Sequence, residues 1–185
     1  MSRPSWSEGP TADQIYKAIP TSQFQAVWNE SFPSVDDCYE CGGWFYADPA
    51  NKTNLEIVRA PNGDKVPQKV ETTNPAAIDL NRPHPSKSHP TWVLVGNFHT
   101  HPLAAAVKGN QEPSRADKEL AWERQVPGIV ISREGFFKYG EDEREDLRQP
   151  QEYPPKPTGS MVIRTPKKIP GAGRPDKAPN QWNVD

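Results

Sequence analysis

The sequence predicts an α/β (α+β) domain in which a β-sheet is flanked by helices. Three observations predict it. The run from Trp92 to Phe98 is the most apolar in the chain, as a central strand requires. Phe24, Val27 and Trp28 fall at i, i+3 and i+4, which gives residues 22–30 one apolar helical face. Residues 128–132 and 135–139 are short apolar runs joined by Arg133-Glu134, as two strands meeting at a turn.

The other elements follow in order. Residues 11–19 suit a short helix, with Thr11 as N-cap and Pro20 as its stop. Thr21 or Ser22 is positioned to cap the second helix, and Pro33 to end it. Residues 43–47 are aromatic and read as a buried strand, whereas 55–59 alternate apolar and charged residues as a half-exposed strand does. Asn62-Gly63 is a turn signal. Residues 67–90 are rich in Pro, Asn, Ser and His and form a long loop, as do 103–113. Residues 114–124 predict a helix with Ser114 as N-cap and Ala116, Leu120 and Ala121 inward. The charge run 141–146 reads as a solvated face or turn.

Residues 1–20 thus read as an N-terminal extension, 21–148 as the folded domain and 149–185 as a Pro-rich tail, in which only 160–165 suits a strand. The 185 residues leave room for a real core, although only 34% are apolar and 22 are proline. Six tryptophans argue against a disordered chain. A net charge of −2 supplies no basic field for nucleic acid or an anionic membrane. No stretch approaches the roughly 18 consecutive apolar residues of a membrane span, and residues 1–10 lack the apolar run of a signal peptide. The expected setting is cytoplasmic, although export by a signal-independent route leaves the same traces. Nothing bears on oligomeric state.

Cys38 and Cys41 form a lone Cys-x-x-Cys. A zinc site needs two more ligands, and a thioredoxin-like pair precedes a helix, whereas a strand follows here. Plain reduced thiols are the expectation. The sequence offers a better metal site in His99-Thr100-His101-Pro102 at the end of the apolar strand. Residues i and i+2 of a strand share a face, so both imidazoles aim at one point. Asp117, one turn into the next helix, is placed to supply a carboxylate oxygen. The competing reading of Ser114-Arg115-Ala116-Asp117 is a capping box. Glu40 precedes Gly42-Gly43, glycines that permit close approach to a site.

Glu40-Cys41-Gly42-Gly43, then His99-Thr100-His101-Pro102, then Ser114-Arg115-Ala116-Asp117, in that order, resemble the JAMM (MPN+) metalloproteases. The resemblance covers residues 21–140, and includes the strand pair after the metal helix. It implies a mixed sheet with helices on its faces. It also implies one Zn²⁺ per chain on His99, His101 and Asp117, with Glu40 as general base towards a zinc-activated water and Ser114 as donor to the developing oxyanion. The substrate is then a protein or peptide, ubiquitin-like proteins included, with no nucleic acid or membrane involved. Fifteen residues separate His101 from Asp117, against about ten in the common pattern. Glu40-Cys41-Gly42-Gly43-Trp44-Phe45-Tyr46 is closer to bacterial JAB-domain variants, including those of toxin systems, than to eukaryotic deubiquitinases. A non-catalytic MPN-like scaffold is the alternative reading. A zinc deaminase is disfavoured, because its His-x-Glu precedes its cysteine pair. His84 and His89, in the Pro-rich loop, are expected at the surface.

Overall fold

The computed structural model describes residues 9–69, 77–103, 111–140 and 166–182. Thr11 caps α1 (Ala12–Ala18) through a reciprocal box with Gln14. Pro20 follows and fixes an extended break before α2 (Thr21–Glu30). Neither Thr21 nor Ser22 caps α2, contrary to expectation. Pro20 occupies that position with no side-chain bond, because its fixed φ already suits the step into a helix.

The strands are β1 (Asp37–Cys38), β2 (Gly42–Asp48), β3 (Asn51–Arg59), β4 (Val66–Pro67), β5 (Val93–His101), β6 (Gly128–Ser132), β7 (Gly135–Tyr139) and β8 (Lys167–Lys168). β1 and β4 pair as a small ribbon, and the other six form one sheet in the order β3-β2-β5-β6-β7-β8. β5 and β6 run parallel, and the remaining pairs are antiparallel. Parallel neighbours need a crossover, and α3 (Arg115–Arg124) supplies it between β5 and β6. The chain is therefore a mixed α+β fold with a six-stranded mixed sheet and, among the described residues, three helices.

One face of the sheet receives α1 and α2. Ile15, Phe24 and Trp28 are fully buried there with Phe45 and Phe98. Phe24 meets Phe45, Phe98 and Phe136 edge-on at 5.7–6.3 Å, the geometry that aromatic quadrupoles favour. The opposite face carries Trp44, Tyr46 and Leu80, and beside them Ala121 of α3 with Val130, Phe137 and Tyr139. The helix of the predicted extension thus contributes Ala12, Ile15 and Ile19 to the core.

After β8 the chain runs back over α1 and α2. Ala172 O accepts from the Tyr16 hydroxyl, Gln25 exchanges bonds with the Asp176 backbone, and Gln181 Oε1 accepts from the Trp28 indole. By Trp182 it lies against the residues after β4, where Trp182 N donates to Gln68 Oε1 and Lys69 lies 3.8 Å over the Trp182 ring. The strand expected at 160–165 and the charge run 141–146 lie outside the described residues.

Two local expectations fail. Asn62-Gly63 makes no turn between paired strands; β3 continues to Arg59, and Gly63 N donates to Glu40 O instead. Ala116 is exposed; the buried residues of α3 are Lys118 and Ala121, and Leu120 is half-buried against Trp44, Tyr46 and Leu80. No helix among the described residues is long and apolar enough to cross a membrane.

Candidate metal centre

The site is built at one end of β5. Strand alternation turns His99 and His101 to the α3 face, and Thr100 between them to the α1–α2 face. β2 pairs with β5 so that Gly42 lies opposite His99. A Cβ on Gly42 would fall 2.3 Å from Phe98 O and 2.9 Å from His99 Cβ. Only glycine lets the Glu40–Gly42 segment lie this close, which is how Glu40 comes to the histidines. From the other side, the β5–β6 crossover sets the N-terminus of α3 over the same strand end, and with it Asp117.

The structure brings His99, His101 and Asp117 together, with one donor atom from each lying within 4.8 Å of the others. His99 Nε2 is 3.0 Å from His101 Nε2 and 3.2 Å from Asp117 Oδ1, and His101 Nε2 is 3.8 Å from Asp117 Oδ2. Ligands at zinc-like bond lengths on a tetrahedron are spaced by about 3.3 Å, so the trio has metal-site dimensions. Two Nε2 atoms at 3.0 Å also need a proton or a cation between their lone pairs. His99 Nδ1 is buried and meets no hydrogen-bond partner among the described residues. Two imidazole nitrogens and a carboxylate oxygen are a borderline-soft donor set that suits a divalent transition ion. The group could hold a metal ion.

Asp117 resolves the conflict between cap and ligand by dividing its oxygens. Oδ2 accepts from Ser114 N at 2.6 Å and from Ser114 Oγ at 2.7 Å, while Asp117 N donates back to Ser114 Oγ at 3.2 Å. Oδ1 is left facing His99, 3.2 Å away. The full capping box therefore coexists with the trio, where the sequence suggested competition. The hydroxyl of Ser114 has its one proton committed to Asp117.

Electrostatics follow from burial and contact. Burial alone would raise Asp117, but the two imidazoles and the Ser114 hydroxyl outweigh it and hold the carboxyl well below the usual range. Burial alone would lower His99, but Asp117 and Glu40 outweigh it and the imidazole is raised. Glu40 is only 7% exposed. Its burial raises it, His99 and the Ile78 N–H offset part of this, and it settles at about 7.

A pocket of about 330 Å³ opens over these groups, walled by Tyr39, Val66, Ile78, Leu80, Leu103 and Leu120, with Glu40, His99, His101, Ser114 and Asp117 at one side. The wall segment 77–81 carried no motif in the sequence, and nothing in its composition marks it. The other candidates lie elsewhere. Cys38 and Cys41 are free and buried, and burial pushes both thiols up to about 11, so neither is a thiolate at neutral pH. His84 leans on Trp44, while His89 stacks on Trp92 at 3.8 Å and bonds Glu56 at 2.9 Å. Most of the loop after His101 lies outside the described residues. No family model, curated protein or solved structure matches the chain.

Proposed function

We propose that the protein is a zinc-dependent metallopeptidase of the JAMM type, which hydrolyses a peptide or isopeptide bond in a protein or peptide substrate, ubiquitin-like proteins included. The single observation that carries this reading is that the buried carboxyl of Glu40 and a His-His-Asp trio face one pocket. A JAMM/MPN-like domain over residues 21–148 and a cytoplasmic setting belong to the same proposal.

His99 and His101 would hold the ion through Nε2 and Asp117 through Oδ1. Bound zinc would supply a Lewis acid and a water that ionises near neutral pH. Glu40 would take up a proton from the attacking water and return it to the leaving amine, a part its buried carboxyl beside the trio is placed to play. Ile78 N–H, 2.9 Å from Glu40 Oε2, fixes one oxygen and leaves the other to move the proton. Ser114 would turn its hydroxyl from Asp117 to the developing oxyanion.

The test is metal analysis of the purified protein with a screen of peptide and isopeptide substrates. About one zinc per chain is expected, lost in the His99→Ala and His101→Ala variants. Glu40→Gln should keep the metal and lose turnover by about 10²–10⁴-fold. Full zinc retention by a double alanine variant would sink the ligand assignment. Zinc without turnover on any substrate would leave a non-catalytic scaffold.

A further inference from the structure

The pocket wall formed by residues 77–81 is a built feature. Ile78 N donates to Glu40 Oε2 at 2.9 Å, and Leu80 O accepts from both the Trp44 indole, at 3.3 Å, and the Arg124 guanidinium of α3. Trp44 of β2, Arg124 of α3 and Glu40, two residues before β2, therefore fix the segment 77–81. Leu120 of α3 packs against the same cluster from the adjacent side. Leu80 is buried, and Ile78 and Leu120 are half-buried at the pocket.

The charge around this space is already committed. Glu40 is bonded to Ile78, and Asp117 to Ser114 and the histidines. No lysine or arginine lines the pocket among the described residues. An acidic side chain would meet no lysine or arginine among these described residues and would face Glu40 and Asp117, and a basic one would compete for carboxylates that other groups hold. An apolar side chain would replace water against Ile78, Leu80 and Leu120 at no such cost. The volume of about 330 Å³ lies at the small end of ligand pockets, which suits one side chain with its peptide unit.

We infer that Ile78, Leu80 and Leu120 form a specificity subsite that takes an uncharged, apolar side chain of the substrate beside the bond to be cut. This rests on the hydrolase reading above, but its binding chemistry is separable from it. Because Ile78 also holds Glu40, filling the subsite and orienting the base involve the same segment.

The experiment titrates the purified protein with N-acetyl amides of leucine, phenylalanine, glycine, lysine and glutamate, followed by methyl NMR of Ile78, Leu80 and Leu120. Leucine or phenylalanine amide should shift these signals and bind at least about tenfold more tightly than the other three. Ile78→Ser, checked for unchanged metal content, should remove that preference. Equal binding of all five, or a preference for lysine or glutamate, overturns the subsite. The peptide screen separates the two claims: an apolar preference without cleavage keeps the subsite and removes the hydrolase reading. Cleavage indifferent to the neighbouring side chain does the reverse.

Discussion

Thr100 lies between the two histidines on β5 and turns the opposite way, into a fully buried chain of hydrogen bonds. Cys41 N donates to Thr100 Oγ1 at 2.9 Å, and Thr100 N donates to Cys41 O at 2.8 Å. Ser31 Oγ lies 2.6 Å from Thr100 Oγ1 and donates to Val27 O, which leaves Thr100 as donor to Ser31. One hydroxyl thus ties the residue after Glu40 to the strand that carries the histidines and to the end of α2. Thr100→Val keeps the shape and orphans Cys41 N, so it should lower unfolding free energy by about 1–3 kcal/mol, and Thr100→Ser should restore most of it. Urea unfolding of the three proteins decides; an undiminished valine variant would falsify the pinning role. Glu40 allows a second test in the metal-free protein. Its folded value of about 7 stands above its ordinary 4.5, so the stability it contributes is full below pH 4.5 and lost as pH rises through 7. Glu40→Gln should therefore match the wild type near pH 4 and exceed it by about 3 kcal/mol at pH 8. Thermal melts at the two pH values measure this, and a gap of the same size at both would remove burial as the cause.

At the scale of elements, α3 joins stability to chemistry through its first turn. Ser114→Ala removes the cap hydroxyl and should cost about 1 kcal/mol. It also leaves Asp117 Oδ2 held by the Ser114 N–H alone, and loss of a group that orients a ligand lowers metal affinity by about 10–100-fold. Denaturation and competitive chelator titration report the two effects separately; affinity equal to wild type would mean that the backbone alone holds Asp117. The same helix shows what sequence could and could not reveal. Its cap was legible because Ser-x-x-Asp is a local bond between residues three apart. The two-residue period of β5 likewise revealed that His99 and His101 share a face. β2, β5, β6 and β7 were legible as apolar runs with turn residues at their ends. Ala116 was misplaced because periodicity fixes a helix face but not how much of the first turn the rest of the fold covers. The wall at 77–81 was not legible, since Trp44, Glu40 and Arg124 hold it from far along the chain. The role of Thr100 had a readable sign: a polar residue facing inward between two histidines needs a partner. Its partner Ser31 could be named only from the fold.

Across the whole molecule, the segment 166–182 closes the α1–α2 face. Ile169 and Ala178 are buried in the main core, and Arg133 of the β6–β7 turn donates to Trp182 O. Ending the chain at Thr165 should remove these contacts and destabilise the fold by about 2–5 kcal/mol, the range for emptying a buried Ile site. Urea titration followed by tryptophan emission measures it, and an unchanged midpoint would make the segment dispensable. The His-His-Asp trio, by contrast, draws its two histidines from a strand that is tied along both edges. β5 is hydrogen-bonded to β2 along one edge and to β6 along the other, and His99 and His101 are members of that strand rather than of a loop. An ion arriving there meets a cradle that is already shaped and need not fold the chain around itself. Little apolar surface leaves water when it binds, so the heat capacity of binding should be close to zero, where a domain that folds on its metal would show a large negative value.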